Sequence, residues 1–362
     1  MSRGVKIGRI AGAPLLLTWS WFVAAAALTF LYFPMIERNA RHLSTPVAVA
    51  ISAGFVLLLF ASVLCHEAAH ALMARRRGKT VTELALTLWG GHTAYTAGTV
   101  KKGDLALIAV VGPLTNLLLA GLFFAAHRGL PGGSVIGLLA FAGFFSNVFV
   151  GVFNLLPGLP LDGGQLMEVA VWALTGSRHR GTVTAAWIGR AVAACLLAYT
   201  VGLPLLREST PLTVSVWWSV LIAMFLWGGA TEALRAARRG ATAATLRAAD
   251  FLVPAMVVPA GTQVASLPDS LPVIVLGAAG RPVGLVAQAA LAQVPAEYRA
   301  STPVEAVLVP LPPGAMIDVA AGGEALLHQI ASRSGGARYV PLVDRGLIVG
   351  ILDVAQVAAR MR

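Results

Sequence analysis

Charged side chains are scarce in this sequence. Asp, Glu, Lys and Arg make up 12% of its 362 residues, whereas 57% are hydrophobic. Soluble globular domains average about 25% charged residues. The composition therefore excludes a chain that is soluble throughout and predicts a polytopic membrane protein with room for one soluble domain. Cysteine is also rare, and because Cys65 and Cys195 both lie in apolar runs, we predict no disulfide framework.

Acidic residues are fewer than basic ones, and the formal net charge is +11. The basic residues cluster beside apolar runs and aromatic residues do not interleave with them, so we predict no nucleic-acid partner. Cytoplasmic loops of membrane proteins are rich in Lys and Arg. If the N-terminus is cytoplasmic, the basic residues of the outside segments are Arg38, Arg41, Arg128 and Arg207, and most others fall inside. The sequence thus predicts a multi-pass protein of the cell membrane with both termini in the cytoplasm.

Six apolar runs are long enough to cross a bilayer, which takes about 20 helical residues. They extend approximately over Leu15–Tyr32, Val47–Arg77, Leu105–Ala126, Val135–Leu156, Trp187–Leu206 and Leu212–Ala230. No clear cleavage site follows the first run, so we predict an uncleaved span rather than a signal peptide. The segment Val81 to Tyr95 shows alternation and a glycine pair, which predict a membrane-associated β-hairpin or extended loop.

The composition changes after the last apolar run. We predict a membrane domain over residues 1–234, a linker over 235–247 and a soluble domain over 248–362. The soluble part repeats a pattern of strand, turn, strand and helix, in which Gly284 and Gly350 occupy corresponding positions. The predicted fold class is therefore mainly α, with a six-span helical membrane domain followed by a small α/β domain.

The second apolar run carries the sequence H-E-A-A-H near its end, at His66, Glu67 and His70. Residues four apart share one face of a helix, so both histidines can bind one metal ion with Glu67 beside a metal-bound water. The alternatives are packing for the histidines and a proton-relay or helix-pairing role for Glu67. Because each ionisable residue is unfavourable inside a membrane, three at this spacing favour the metal site. At 1.5 Å per residue, that site would lie about 8–15 Å below the cytoplasmic surface.

Zinc held by two histidines needs a third protein ligand and an open position for water. Asp162 is the carboxylate of the stretch N-L-L-P-G-L-P-L-D-G-G, in which prolines and glycines interrupt the helix. Irregular backbone at membrane depth is tolerated where it lines a wet cavity. The residues alone leave two alternatives open: Asp162 is the third ligand, or it caps the following helix. In the second case, His92 would be the first candidate ligand.

These motifs together resemble a known family. H-E-A-A-H, the sequence G-P-L-T-N at Gly112 to Asn116, and the stretch from Asn154 to Gly164 are similar to the site-2 protease family of intramembrane zinc metalloproteases. The C-terminal repeat resembles a pair of CBS modules, a combination similar to the bacterial subgroup that includes the sporulation factor protease. The resemblance implies one Zn²⁺ per chain, bound by His66, His70 and Asp162. It also implies Glu67 as the general base and Asn154 as a substrate-binding residue near the cleft.

The resemblance also bears on partners. It implies a transmembrane protein substrate in the lipid bilayer, such as an anti-sigma factor or a membrane-bound transcription regulator. CBS modules often bind adenine nucleotides through a Gly-x-x-Ser/Thr-x-x-Asp pattern, and residues 284–290 and 350–356 lack the hydroxyl residue and the final Asp. We therefore predict a regulatory or dimerising domain that does not bind ATP tightly. A dimerising role would make the protein a homo-oligomer.

The function predicted is an intramembrane zinc endopeptidase that cuts transmembrane segments of membrane-bound regulatory proteins near their cytoplasmic end. A cation (zinc) transporter is one alternative, but transporters favour ligands on repeated halves of the chain, and the sequence shows no such symmetry. A non-catalytic membrane scaffold is the other, and it would not need the general base Glu67.

Overall fold

The computed structural model describes residues 4–39, 44–88, 90–96, 101–131, 134–206, 214–268 and 270–361. The chain divides into two compact units, Met1–Arg235 and Ala236–Arg362. Arg3, Arg41 and Arg207, which belong to the basic-residue pattern used for orientation, lie outside the described residues.

Helices dominate the first unit. They are α1 (Trp19–Asn39), α2 (Thr45–Arg76), α3 (Lys102–Gly129), α4 (Val135–Asn154), α5 (Asp162–Thr175), α6 (Arg178–Leu197), α7 (Leu203–Leu206) and α8 (Val214–Thr245). A π-helical turn, Ala198–Gly202, joins α6 to α7. Within the described ranges, six helices are long and apolar enough to cross a membrane, which confirms the predicted number of spans.

A four-stranded sheet lies beside these helices. Its strands are β1 (Gly4–Ile10), β2 (Ala13–Thr18), β3 (Val81–Thr87) and β4 (Gly90–Tyr95), in that order across the sheet. Strands β3 and β4 are antiparallel, as the alternation predicts, and β2 pairs with β3 in parallel. Leu15 and Leu84 pack against Ala71 and Ala74 of α2 and against Ile108 of α3. This packing fixes the sheet to the C-terminal part of α2, where the H-E-A-A-H motif lies.

Some predicted span boundaries are wrong. The first spanning helix begins at Trp19 rather than Leu15, because Leu15, Leu16 and Leu17 pair with β3 as part of β2. The fifth span begins at Arg178 and the sixth continues to Thr245, because each helix extends through polar residues beyond its apolar run.

The second unit contains two four-stranded sheets. Its elements are β5 (Leu252–Val253), β6 (Met256–Pro259), β7 (Val273–Leu276), β8 (Pro282–Val286), α9 (Gln288–Gln293), β9 (Leu308–Pro310), β10 (Ile317–Asp318), α10 (Gly323–Arg333), β11 (Tyr339–Asp344), β12 (Leu347–Asp353) and α11 (Val354–Arg360). The sheet orders are β6-β7-β8-β9 and β10-β11-β12-β5. Each sheet has one parallel pair, then an antiparallel hairpin, then an antiparallel fourth strand. The residues expected to form a linker, 235–247, are helical as far as Thr245.

Gly284 and Gly350 occupy matching places in the two sheets. Gly284 lies opposite Val275 in the β7–β8 hairpin, and Gly350 lies opposite Leu342 in the β11–β12 hairpin. A Cβ atom on Gly284 would approach the carbonyl oxygen of Val309 to 2.6 Å, and one on Gly350 would approach that of Val253 to 2.5 Å. Both glycines therefore allow the fourth strand of their sheet to pass close by.

Candidate metal centre

Helix α2 places His66 and His70 on one buried face, one turn apart. Their ring centroids are 4.6 Å apart. His66 Nε2 lies 2.9 Å from Asp162 Oδ2, and His70 Nε2 lies 3.2 Å from the same oxygen. Among the described residues, these three side chains form the one group of His, Cys, Asp and Glu whose ligand atoms converge, all within 4.8 Å of one another.

Asp162 reaches the histidines from the first turn of α5. The preceding segment, Leu155–Leu161, packs tightly against that turn, because a Cβ atom on Gly163 or Gly164 would overlap its backbone. The residue at the N-cap position of α5 is Leu161, and its side chain makes no capping hydrogen bond. The Asp162 carboxylate thus faces the histidines, whereas His92 is exposed on β4 with its Nε2 atom 3.6 Å from Glu83 Oε1.

The tautomers of the two histidines suit metal binding. His70 Nδ1 lies 2.6 Å from the carbonyl oxygen of Ile108, and His66 Nδ1 lies 2.6 Å from Asn116 Oδ1. A carbonyl oxygen only accepts, so His70 Nδ1 donates a hydrogen to it, and in the neutral imidazole the lone pair for a metal is then on Nε2. Metal-bound histidines are commonly held by such a bond from the other ring nitrogen. Two imidazole nitrogens and one carboxylate oxygen, with a position left open, match the donor set of catalytic zinc sites.

Gly112 of α3 leaves space beside the ligand atoms. A Cβ atom at this position would lie 2.7 Å from His66 Nε2 and would also overlap the ring of His70. Helix α3 can therefore lie this close to the two imidazoles only because residue 112 has no side chain.

Glu67 is buried next to the cluster, with 8% of its surface exposed. Thr93 Oγ1 of β4 lies 2.7 Å from Glu67 Oε2 and 3.2 Å from the Glu67 carbonyl oxygen. Gly91, on the same face of the strand, lies so close to Glu67 that a Cβ atom would overlap its side chain. The sequence predicted the hairpin from its alternation and its glycine pair, but not that Thr93 and Gly91 contact Glu67. Residues two apart share one face of a strand, and this periodicity would have placed residues 91 and 93 together on the face that meets the motif.

Asn154 is the last residue of α4 and is half-buried. Its Nδ2 donates to the carbonyl oxygen of Val150, one turn earlier in the same helix. The structure thus gives Asn154 a contact within its own helix and places it just before the segment that carries Asp162. A substrate contact for Asn154 stays a prediction.

A cavity of about 130 Å³ lies between the end of β4 and the starts of α3 and α6. Lys79, Lys101 and Arg178 line it together with Asp104 and Tyr95. Arg178 Nε donates to the buried carboxylate of Glu168 at 2.8 Å. Burial raises the pKa of Tyr95 above its ordinary value, so this phenol is neutral at physiological pH.

Comparisons with known proteins found similarity to metalloproteases. Residues 129–198, which include Asp162, match the family model Peptidase family M50. Two relatives are each named a putative zinc metalloprotease. One is sll0528 from Synechocystis, 26% identical over 99% of this chain and 95% of its own length. The other is Rip3 from Mycobacterium tuberculosis, 34% identical over 64% of this chain and 59% of its own length. A solved site-2 protease from Methanocaldococcus jannaschii superimposes with a TM-score of 0.46 and 22% identity, covering 64% of this chain and 95% of that one.

The sequence matches and the six apolar helices define a multi-pass membrane metalloprotease. Residues 129–198 thus resemble Peptidase family M50, and over most of its length the chain is similar to a relative named a putative zinc metalloprotease. These similarities and the His-His-Asp cluster both point to zinc as the metal.

Proposed function

We propose that this protein is an intramembrane zinc endopeptidase that cleaves transmembrane segments of membrane-bound regulatory proteins. The observation that carries the proposal is the convergence of His66 and His70 with Asp162 of α5 on one point. Both histidines and Glu67 lie in an apolar helix long enough to span a bilayer. Ionisable side chains are rare at such depth and usually mark a functional site. We propose one zinc ion per chain, with these three residues as its ligands.

When bound, zinc would polarise the scissile carbonyl group and lower the pKa of a water molecule. Glu67 takes the proton from that water and passes it to the amine that leaves, as a general base and then a general acid. Thr93 holds Oε2 of the carboxylate and leaves Oε1 for the proton. Gly91 leaves room for the carboxylate between α2 and β4.

The substrate must present an extended chain, because the peptide bonds of a helix are protected by hydrogen bonds. Strand β4 lies at the end of the order β1-β2-β3-β4 and contacts Glu67 through Thr93. An unwound substrate can add to such an edge as a further strand. Asn154, close in sequence to the Asp162 turn, would hold this substrate near the cleft.

We further propose that the protein lies in the cell membrane with both termini in the cytoplasm. The excess of basic residues in the segments assigned to that side supports this orientation. It brings the H-E-A-A-H motif near the cytoplasmic surface, so cleavage would release a cytoplasmic fragment. A regulator such as an anti-sigma factor or a membrane-bound transcription regulator is the kind of substrate that such release would activate.

The second unit is proposed to be a CBS pair with a regulatory or dimerising role. Support comes from the pattern of one parallel and two antiparallel strand pairs that both sheets share, and from the matching positions of Gly284 and Gly350. Asp353 stands where the nucleotide-binding pattern has a hydroxyl residue. It accepts a hydrogen bond from the backbone nitrogen of Ala355 and pairs with Arg338. We therefore expect no tight ATP binding by this unit.

The proposal is tested in membranes that contain either the wild-type protein or Glu67→Gln. Membrane proteomics should reveal a protein whose cytoplasmic fragment is present with the wild type and absent with the variant. The purified wild type should then cut that protein in liposomes. Zinc flux across the liposomes, without cleavage of any candidate, would instead support the transporter alternative and contradict the proposal.

A further inference from the structure

Asn116 is a fully buried amide side chain in α3, inside an apolar span. An amide in an apolar environment is unfavourable unless its donors and its acceptor are bonded. Asn116 satisfies this requirement by joining three helices, and one of its partners is a histidine of the candidate metal centre.

The hydrogen bonds of Asn116 fix the orientation of its amide. Nδ2 donates to the carbonyl oxygen of Ser62 in α2 at 3.1 Å and to Asn147 Oδ1 in α4 at 2.8 Å. Asn147 is itself oriented, because its Nδ2 donates to the carbonyl oxygen of Gly143 at 2.8 Å. Followed from Asn116 Nδ2, both series of hydrogen bonds end on backbone carbonyl oxygens, which only accept. Asn116 Oδ1 is therefore the atom that faces His66 Nδ1, at 2.6 Å.

This orientation determines the tautomer of His66. An amide oxygen only accepts, so His66 Nδ1 donates a hydrogen to it, and in the neutral imidazole that a metal ligand requires, the lone pair is then on Nε2, the nitrogen nearest Asp162. His70 reaches the same state through the backbone carbonyl oxygen of Ile108. The two histidines thus differ in one respect: a side-chain substitution can remove the support of His66 but not that of His70.

We infer that Asn116 is a positioning residue of the metal centre, which holds His66 in the tautomer and orientation that direct Nε2 at the metal, while Asn147 orients Asn116. The inference rests on the proposed function, in which His66 is a zinc ligand. Loss of such an outer partner typically lowers metal affinity by about 10–100-fold.

The test measures zinc affinity of the purified full-length protein in detergent, by competition with a chromophoric chelator, and the absorption spectrum with cobalt in place of zinc. Asn116→Leu keeps the approximate size of the side chain and removes the acceptor, so we expect an affinity about 10–100-fold lower and a changed cobalt spectrum. Asn116→Asp keeps an acceptor for His66 Nδ1 but loses the two donated hydrogen bonds, so it should weaken zinc binding less than Asn116→Leu does. Thr115→Val is the matched control, since the Thr115 hydroxyl donates to the carbonyl oxygen of Val111 in its own helix.

Two results would overturn the inference. One is zinc affinity of Asn116→Leu within threefold of the wild type, and the other is equal weakening of the Leu and Asp variants, which would indicate a purely structural role. If Asn116→Leu does not fold, Asn116→Asp decides, because a loss of zinc affinity in the range of about 10–100-fold, as expected for a missing partner, would contradict the proposed acceptor role. His66→Ala separates this inference from the proposed function: if that variant keeps wild-type zinc affinity, the metal centre itself is wrong.

Discussion

Thr93 on β4 donates its hydroxyl hydrogen to Glu67 Oε2 across a distance of 2.7 Å. The sheet and the H-E-A-A-H helix are therefore linked at the carboxylate that we propose as the general base. This link gives the sheet a role in positioning Glu67 as well as in receiving substrate.

Removal of the Thr93 hydroxyl should slow cleavage without loss of zinc. In Thr93→Val the side chain keeps its volume, but Glu67 loses the donor that holds Oε2, so we expect cleavage to fall by about 10–100-fold, since general-base catalysis is worth about 10²–10⁴-fold in total. Thr93→Ser should restore most of the rate. The measurement pairs a cleavage assay with metal analysis, and wild-type cleavage by Thr93→Val would show that Glu67 does not depend on this hydroxyl.

Two glycines of α3 offer a matched comparison of space beside the metal. Gly112→Ala places a methyl group 2.7 Å from His66 Nε2 and against His70, so zinc binding should be lost. Gly121 lies on the same helix, and a Cβ atom there would meet no other part of the protein within 4 Å. Alanine also favours a helix by about 1 kcal/mol over glycine. We expect the control Gly121→Ala to bind zinc normally and to melt no lower than the wild type. Equal zinc content in the two variants would contradict the close contact of Gly112 with His66 and His70.

The membrane unit should hold zinc without the second unit. A chain that ends after Arg239 retains His66, His70 and Asp162 with their helices, and the compact first unit ends at Arg235. We expect it to purify as a folded protein with about the metal content of the full chain, as measured by elemental analysis. If the truncated protein is well folded but free of zinc, the C-terminal unit is needed for the metal site, which contradicts this prediction.

The proposed orientation predicts where fusion reporters are active. Reporters fused after Lys79 and after Arg239 should report the cytoplasm, and one fused after Gly129 should report the outside, because basic residues favour the cytoplasmic side. An external signal after Lys79 would reverse the orientation, and the cleaved fragment would then be released on the other side of the membrane.

The parts of the site that could be predicted from the sequence are local ones. His66, Glu67 and His70 lie within five residues of one helix, so helical periodicity alone places them together. Asp162 is about ninety residues further along the chain, and no periodicity relates it to α2. Only the packing of the segment before α5 shows that its carboxylate faces the histidines rather than capping the helix.

The fold shows the same division between local and distant information. The antiparallel pair β3–β4 follows from alternation and its glycines, whereas β1 and β2 were missed, because Leu15 to Leu17 continue without a break into the apolar run of α1. Their strand state depends on pairing with residues 84–86, which no local pattern reveals. Asn116 was visible as the end of the G-P-L-T-N motif and Asn147 as a polar residue in an apolar span. Neither signal names the partner of the residue.

The central claim is most directly tested by measuring zinc content and cleavage rate side by side for Glu67→Gln and Asp162→Ala. Glu67→Gln is nearly isosteric and keeps all three proposed ligands, so it should retain zinc and lose cleavage by about 10²–10⁴-fold, because an amide cannot accept the proton of the water. Asp162→Ala removes a ligand and should lose both zinc and cleavage. Cleavage near the wild-type rate by Glu67→Gln, or full zinc and activity in Asp162→Ala, would contradict the account.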